Sequence, residues 1–329
     1  MDSLSQIVLG ASVAGVCAPR GHRRKALLVG AALGTLPDLD VLIDYGDAVK
    51  NFTYHRGFSH SLFVLVPFAA LLWLALRRWW APVRDAPVPW LWAIMLPLVT
   101  HPLLDAHTAY GTQLFWPLTI PPTMWSTLFI IDPLYTLPLL IGSVAAALRP
   151  ARKWAQTTLA AGLVISTLYV GWSWAGKTLA ERDAGVVLAE MGLADAPLFS
   201  TPAPFNTLLW RIVVITDNGY LEGYNSLLVD RRPMQFKNFS SDTASLEAAS
   251  DVWAVARLRW FASDFVKGDV RDNKLRVTDL RMGGEPSYVF THTVAERGNP
   301  HWQAIPTRLE MARFSRSDLD TVLRRLWHD

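Results

Sequence analysis

The chain has 329 residues, 51% of them hydrophobic, and a formal net charge of only +3 at pH 7. This composition favours a membrane protein over an ordinary water-soluble globule, and the absence of Lys/Arg-rich runs and nucleic-acid motifs argues against nucleic acid as a partner. A single cysteine, Cys17, excludes an intrachain disulfide and a cysteine-rich metal site.

The first segment, Leu4 to Ala18, is apolar and ends in small residues. The basic cluster Arg20 to Lys25 follows this segment, whereas the basic residues of a secretory signal peptide precede its apolar core. We therefore predict a retained, short first membrane helix.

Further apolar stretches recur through the N-terminal half. They are Ala26 to Pro37, Ser61 to Leu76, Ala86 to Thr100, Ser126 to Leu148 and Trp154 to Gly176. The last is uncharged and long enough to cross a bilayer core of roughly 30 Å, while several others are shorter than the ~20 residues that a span needs. We predict a polytopic helical membrane domain over residues 1–176, with about six spans, some of them short.

Basic clusters fall on alternate loops of these six spans. They are Arg20 to Lys25, Arg77 with Arg78 and Arg84, and Arg149 with Arg152 and Lys153. The positive-inside rule assigns these loops to the cytoplasm of a bacterial inner membrane. The polar clusters 37–40, 55–60, 101–105 and 131–133 then converge on the opposite, outer face.

Residues 177–329 carry 39 of the 59 charged residues and are predicted to form a soluble, periplasmic α+β domain. The predicted elements are strands at Trp210 to Thr216 and Leu227 to Asp230 around a turn at 217–219, strands at Leu275 to Met282 and Ser287 to Val294, and helices at Asp251 to Val266 and Ser317 to Trp327, the last capped by Ser315 or Ser317. The predicted fold class is therefore mainly α, with a helical membrane domain followed by this domain.

His and Asp residues in the polar clusters are candidates for metal binding, because ionisable groups beside apolar segments need a partner. His101 and Asp105 are four residues apart and share one face of a helix. Pro102 predicts a kink or a new helix start between them. The alternative is a structural His–Asp hydrogen bond without metal.

Asp38 and Asp40 would point apart on a continuous helix, but at a helix end after Pro37 both can turn inward. We predict Asp40 as a ligand and Asp38 as its orienting neighbour. The alternative is a polar helix end at the water interface.

The loop that contains His55 and His60 also contains Gly57, which allows both imidazoles to bend toward one point. Arg56 between them is suited to bidentate binding of an anionic substrate group. The alternative is an ordinary surface loop.

These clusters, in this order, resemble the YdjM-like family of predicted inner-membrane metal-dependent hydrolases. The resemblance covers roughly residues 1–150 and rests on Met1 to Gln6 with Gly10, Gly34 to Asp40, His55 to Ser61, and His101 to Asp105 followed by Tyr110-Gly111 and Pro117. That family is in turn distantly similar to zinc-dependent phospholipase C and P1-type nuclease. The resemblance implies a divalent metal, zinc, held by Asp40, His55, His60, His101 and Asp105.

Two departures from these relatives limit the site. Gln6 stands where many relatives have a histidine, and an amide is a much poorer zinc ligand. No His-x-x-x-Glu pair follows Asp105 to complete a three-zinc site, so the sequence supports a centre of one or two metals. Asp132 would add a carboxylate or, as part of an Asp-Pro pair, cap a helix.

The predicted function is metal-dependent hydrolysis of a phosphoester or lipid-derived substrate at the outer membrane surface by metal-activated water. Asp38 or Asp132 would act as general base, and Arg56 would neutralise developing charge. The alternative is a non-catalytic membrane protein with a structural or sensory metal site and a partner-binding periplasmic domain. A transporter is disfavoured, because the polar residues crowd one face instead of crossing the membrane.

Overall fold

A computed structural model of the chain describes residues 1–311 and 316–328. The helices are α1 (Ser3–Cys17), α2 (Arg23–Thr35), α3 (Ala48–Tyr54), α4 (Leu62–Trp79), α5 (Ala81–Asp85), α6 (Pro87–Ala106), α7 (Pro133–Leu148), α8 (Lys153–Glu190), α9 (Thr243–Ala248), α10 (Trp253–Phe261) and α11 (Arg316–Arg325). The strands are β1 (Leu198–Pro202), β2 (Leu209–Thr216), β3 (Gly219–Ser226), β4 (Phe236–Ser240), β5 (Val266–Arg271), β6 (Lys274–Asp279), β7 (Gly283–Gly284), β8 (Ser287–Tyr288), β9 (Thr291–Arg297) and β10 (Trp302–Glu310).

Within the described residues, three helices are long and apolar enough to cross a membrane: α4, α6 and α8. The apolar helices α1 and α7 are shorter. A helical membrane region is therefore confirmed, while the number of about six spans stays a prediction. Helix α8 continues through Gly176, where the last span was predicted to end, because Ala180, Ala184 and Leu188 on its later turns pack against the sheet that follows.

Helices α1 and α2 cross at glycines. A Cβ atom on Gly30 would lie 2.1 Å from the Gly10 carbonyl oxygen, and one on Gly34 would lie 2.5 Å from the Gln6 carbonyl oxygen. Small residues allow membrane helices to approach this closely in place of a hydrophobic driving force. The crossing fixes the end of α2 from which the Asp38 segment continues.

The basic loops meet at the opposite end of the bundle from the polar clusters. Arg24 Nε donates to the Ala147 carbonyl at 2.8 Å, and Arg23 Nη1 donates to the Pro150 carbonyl at 2.9 Å. These bonds join the loop between α1 and α2 to the loop between α7 and α8. Two of the three predicted basic clusters therefore lie at one end.

The C-terminal part contains two four-stranded antiparallel sheets, with strand orders β1-β2-β3-β4 and β10-β9-β6-β5, and the pair β7-β8. Phe199, Val213 and Tyr220 pack with Phe265 and Leu280 in a core that joins both sheets. Another core includes residues of α3, α10 and the second sheet. The sheet-rich part is thereby packed onto the segment that precedes His55.

Strand β2 matches the predicted strand, but its partner across the turn is β3 and not Leu227 to Asp230. The register pairs Thr216 with Gly219 directly. Strand β3 was not predicted because it contains the polar residues Glu222 and Asn225. Glu222 is nevertheless buried and pairs with Arg211 at 2.6 Å.

Other boundaries shift for local reasons. The predicted helix to Val266 ends at Phe261, because Ser263 and Asp264 take positive φ values before β5. The two later predicted strands correspond to β6 and, divided, to β8 and β9. Helix α11 lies where a helix was predicted, and the proposed cap Ser315 lies outside the described residues.

We expect Gly30→Ala to destabilise the protein by about 1–3 kcal/mol, because the added methyl group meets the α1 backbone and not a movable side chain. Thermal unfolding in detergent measures the change. Gly171→Ala is the matched control, since a Cβ atom there meets nothing within 4 Å. Equal melting temperatures for the two variants would contradict the close crossing.

Candidate metal centre

Four side chains, here called the metal group, meet at the end of the bundle opposite the basic loops. Asp38, His60, His101 and Asp105 each offer a ligand atom, and these atoms all lie within 4.8 Å of one another. Asp38 lies in the 3-10 turn Leu36–Leu42 after α2, and His60 ends a short turn before α4. The side chain of Asp38 is 21% exposed, whereas the other three are fully buried.

His101 and Asp105 lie one turn apart on α6, which continues through Pro102 without ending. The predicted kink therefore does not separate them, and both residues reach the same point. The i,i+4 spacing read from the sequence is realised in the structure.

The spacing of the ligand atoms fits one small cation. His60 Nε2 lies 3.1 Å from His101 Nε2, 3.1 Å from Asp105 Oδ2 and 3.3 Å from Asp38 Oδ1. His101 Nε2 lies 3.4 Å from Asp105 Oδ2 and 3.5 Å from Asp38 Oδ1. Ligands at zinc-like bond lengths on a tetrahedron are separated by about 3.3 to 3.6 Å. Five of the six distances lie close to this range, and the sixth, between Asp38 and Asp105, is within 4.8 Å, so the four groups could hold one metal ion.

Hydrogen bonds on the far side of each imidazole leave both Nε2 atoms with lone pairs. His101 Nδ1 lies 2.6 Å from the Gly34 carbonyl oxygen, which can only accept, so Nδ1 carries the hydrogen. His60 Nδ1 lies 2.9 Å from Ser59 Oγ, whose own hydrogen goes to Asp40 Oδ2 at 2.5 Å. In their neutral forms the two rings face each other lone pair to lone pair, and either a proton on one Nε2 atom or a cation between them would remove that repulsion.

The two oxygens of Asp105 have different surroundings. Oδ1 accepts from Gln6 Nε2 at 3.1 Å, pairs with Arg56 Nη2 at 3.2 Å and contacts the Met1 amine. Oδ2 is buried and lies 3.1 Å from His60 Nε2 and 3.4 Å from His101 Nε2. Asp105 is thereby oriented to offer Oδ2 to an ion, and Gln6 acts as a positioning group beside a ligand.

The imidazoles and carboxylates of the group stabilise one another's charged forms. Burial lowers the pKa of His60, but the Asp105 and Asp38 carboxylates outweigh burial and hold this pKa above its ordinary value. Burial raises the pKa of Asp38, but His101 and His60 outweigh it and hold this pKa below its usual range. The His60 shift reflects the negative charge of the two carboxylates, and the Asp38 shift reflects the two imidazoles beside it.

Asp40, predicted as a ligand, lies outside this group and supports it. Its Oδ1 atom is 2.8 Å from His55 Nδ1, and its Oδ2 atom accepts from the Arg56 backbone N–H at 3.0 Å and from Ser59. Asp38, and not Asp40, therefore lies in the His/Asp group, and the ligand roles of both stay predictions. With three residues per 3-10 turn, residues two apart point to different sides of the turn.

His55, also predicted as a ligand, is not brought into the group. Its ring is held by Asp40, its side chain is 23% exposed, and its centroid lies 6.0 Å from that of His60. Gly57 bends the loop as predicted, but the two imidazoles reach neighbouring positions instead of one point.

Arg56 lies between Asp105 of the metal group and the side chains of Thr108 and Tyr110. Its φ of 58° places it in the left-handed region, a strained conformation for a residue other than glycine. Nη1 donates to Thr108 Oγ1 at 3.1 Å, and the guanidinium lies over the Tyr110 ring at 5.0 Å. Its Nε is buried and has no acceptor in the part of the chain that the structure describes.

Asp132 caps α7 and lies outside the group. Its Oδ1 atom accepts from the Leu134 N–H at 3.0 Å, and its Oδ2 atom accepts from the Tyr169 hydroxyl at 2.9 Å. Both oxygens are occupied, as the capping alternative predicts.

Two groups that orient the imidazoles were not predicted from the sequence, the Ser59 hydroxyl and the Gly34 carbonyl. Ser59 lies inside the His55 to His60 motif, so its position was available as a signal. The Gly34 carbonyl was not, because a backbone acceptor has no side-chain signature.

The apolar helices and the buried His/Asp group define a membrane protein with a possible metal-binding centre. Residues 1–180, more than half of the chain, match the YdjM inner membrane protein family, and the chain belongs to that family. The uncharacterized protein YfhP of Bacillus subtilis (strain 168) is 29% identical over 143 residues, which are 40% of this chain and 41% of YfhP. The inner membrane protein YbcI of Escherichia coli (strain K12) is 36% identical over 95 residues, which are 28% of this chain and 52% of YbcI.

The chain thus spans about half, or less, of the length of these relatives. No solved structure matches it. The family resemblance is confirmed, whereas the distant similarity to phospholipase C and P1-type nuclease finds no support in these comparisons.

We expect the purified protein to bind one divalent ion per chain at this group, and His101→Ala or Asp105→Asn to abolish that binding. Elemental analysis of detergent-purified protein measures the stoichiometry. His107→Ala is the matched control, because His107 lies at the end of the same helix but bonds to Thr127 instead of joining the group. Metal loss in this control equal to that of His101→Ala would refute the assignment.

Ser59→Ala should weaken metal affinity by about 10- to 100-fold without changing the stoichiometry, because it removes the group that orients His60. Competition with a chromophoric chelator measures the affinity. Ser61→Ala serves as control, since Ser61 in the same motif donates to the Trp116 carbonyl instead. An unchanged metal affinity in Ser59→Ala would show that the hydrogen bond between Ser59 and His60 does not affect metal binding.

Proposed function

We propose that this protein is a membrane-bound metal-dependent hydrolase that cleaves a phosphoester at one membrane surface. The observation that carries the proposal is the His55–Asp40 pair, which lies beside the metal group and, with Arg56, lines an adjoining cavity. A purely structural metal site requires its ligands alone. Hydrolysis also requires a base and a cation near the reacting atoms, and His55 and Arg56 would supply them.

Zinc is the metal that we propose, because two imidazole nitrogens and two carboxylate oxygens suit it. Asp38, His60, His101 and Asp105 would hold it. When bound, such an ion lowers the pKa of a water molecule toward ~7 and polarises the scissile group.

His55 is the proposed general base. The Asp40 carboxylate binds His55 Nδ1 and so fixes the hydrogen there, which leaves Nε2 to take a proton from water. Asp38 and Asp132, predicted for this role, are engaged elsewhere, the first in the metal group and the second at the start of α7. His55 is partly exposed and lines the cavity, so substrate and water can reach it.

Arg56 is proposed to bind the phosphoryl oxygens. Its side chain also lines the cavity, and its Nε donor lacks an acceptor among the described residues. A phosphate oxygen would satisfy this donor and have its charge offset by the guanidinium. The contact with Thr108 holds the guanidinium in place.

We further propose a multi-pass inner-membrane protein with the site and the sheet-rich domain in the periplasm. The support is that the basic loops lie at the other end of the bundle, which the positive-inside rule assigns to the cytoplasm. Substrate would then reach the site from the bilayer or the periplasm.

One observation favours a second candidate, a structural or sensory metal site without catalysis. Four protein ligands close a tetrahedral zinc site, whereas catalytic zinc sites keep one position for water. Asp38 is the ligand with solvent access, so hydrolysis requires this carboxylate to make room.

We expect metal-loaded protein to hydrolyse bis(p-nitrophenyl) phosphate, and His55→Gln to lower kcat by roughly 100-fold or more while retaining its metal, as loss of a general base does. Rates and metal content are measured on the same samples across pH. His301→Gln, an exposed histidine of the sheet-rich domain, is the control. Full metal occupancy without hydrolysis of this ester or of phospholipids would favour the non-catalytic candidate.

A further inference from the structure

A large cavity lies between the site end of the helix bundle and the sheet-rich domain. Its volume is about 960 Å³, near the top of the ~300–1,000 Å³ range of small-molecule sites. Segments 40–45 and 128–131 form part of its wall on the membrane side, and segments 201–205 and 281–283 on the sheet side. The C-terminal domain therefore forms one wall of a cavity that His55 and Arg56 also line.

Most of the cavity wall is aliphatic or aromatic. Phe52, Leu128, Phe129, Val289 and Phe290 are among its lining residues. Protein interiors are otherwise close-packed, and an apolar space is a poor site for water. The wall is thus suited to a hydrophobic chain.

Exposed apolar side chains border the cavity on the side of the membrane helices. Val41 is 70% and Leu42 79% exposed, and Ile130 and Ile131 are also exposed. The Asp2 N–H donates to the Ile130 carbonyl at 3.0 Å, so this border lies level with the start of α1. Exposed apolar side chains of this kind are costly in water and suit contact with lipid.

Three arginines, Arg56, Arg211 and Arg281, are among the residues that line the cavity. Arg56 lies over the Tyr110 ring, Tyr110 packs on Phe261, and Arg281 lies over Phe261 at 5.2 Å. Arg211 donates to the adjacent Leu280 carbonyl. The Nε atoms of Arg56 and Arg211 are buried without acceptors in the described ranges, so an anionic oxygen would satisfy donors that the chain leaves open.

We infer that the cavity binds an anionic lipid, whose hydrophobic chain fills the apolar part and whose phosphate head lies at Arg56 beside His55. The lipid enters from the bilayer between segments 41–43 and 130–131. That this lipid is the substrate rests on the proposed function, whereas its binding does not require turnover.

The test measures equilibrium binding of dodecyl phosphate, butyl phosphate, inorganic phosphate and dodecanol to the full chain in phosphatidylcholine nanodiscs. We expect dodecyl phosphate to bind at least about 100-fold more tightly than butyl phosphate, since each buried methylene tightens binding roughly fourfold. It should also bind more tightly than dodecanol, which lacks the anionic head.

Two variants address the cavity itself. Val289→Trp fills it from the sheet side, and Leu42→Asp places a charge at its border on a side chain exposed enough to tolerate substitution. Each should weaken dodecyl phosphate binding by about tenfold or more, in keeping with several lost apolar contacts. Leu228→Asp, also at an exposed leucine but away from the cavity, should leave it unchanged.

Equal affinities for dodecyl, butyl and inorganic phosphate would indicate a free-phosphate site and overturn the inference, as would full binding in both cavity variants. Hydrolysis of bis(p-nitrophenyl) phosphate without preference for the dodecyl chain would remove the lipid inference and keep the proposed function. Chain-dependent binding without any hydrolysis would do the reverse.

Discussion

Two buried imidazole nitrogens that face each other at 3.1 Å are the constraint on which the rest of the structure depends. Asp38 and Asp105 add two carboxylate oxygens at similar distances. Such an arrangement repels itself in a buried site unless a positive charge lies within it. Every neighbouring element holds one of these groups in that orientation, which a chance collection of polar residues would not require.

The helix crossing and the hydrogen-bond layer act together to maintain this geometry. Contact between Gly10 and Gly30 sets the position of the end of α2, where the Gly34 carbonyl fixes the tautomer of His101. Ser59 likewise fixes the tautomer of His60 by contacting its Nδ1 atom, and the Ser59 hydroxyl is itself held by the Asp40 carboxylate. A methyl group added at the helix crossing would therefore affect metal affinity as well as stability, although it lies outside the site.

The sheet-rich domain packs against helix α3, which leads into the loop that contains His55 and Ser59. Val49 and Phe52 of α3 share a core with α10 and the second sheet, and Arg257 binds Thr53 through two contacts. Because α3 leads directly into His55 and Arg56, this docking holds the proposed base and the phosphate-binding arginine against the cavity. The domain thus contributes to the site without supplying a ligand to the metal group.

The sequence by itself determined the membrane class, the family, the helical N-terminal half and the His101–Asp105 pair, because hydropathy and i,i+4 spacing are local properties. Three of its four polar clusters, 37–40, 55–60 and 101–105, contribute to the His/Asp group, and the 3-10 turn decided that Asp38 and not Asp40 lies in it. Tertiary packing alone placed Gln6 beside Asp105, joined Asp132 to Tyr169 and formed the cavity. These outcomes depend on contacts between residues far apart in the chain, for which a single sequence carries no local pattern.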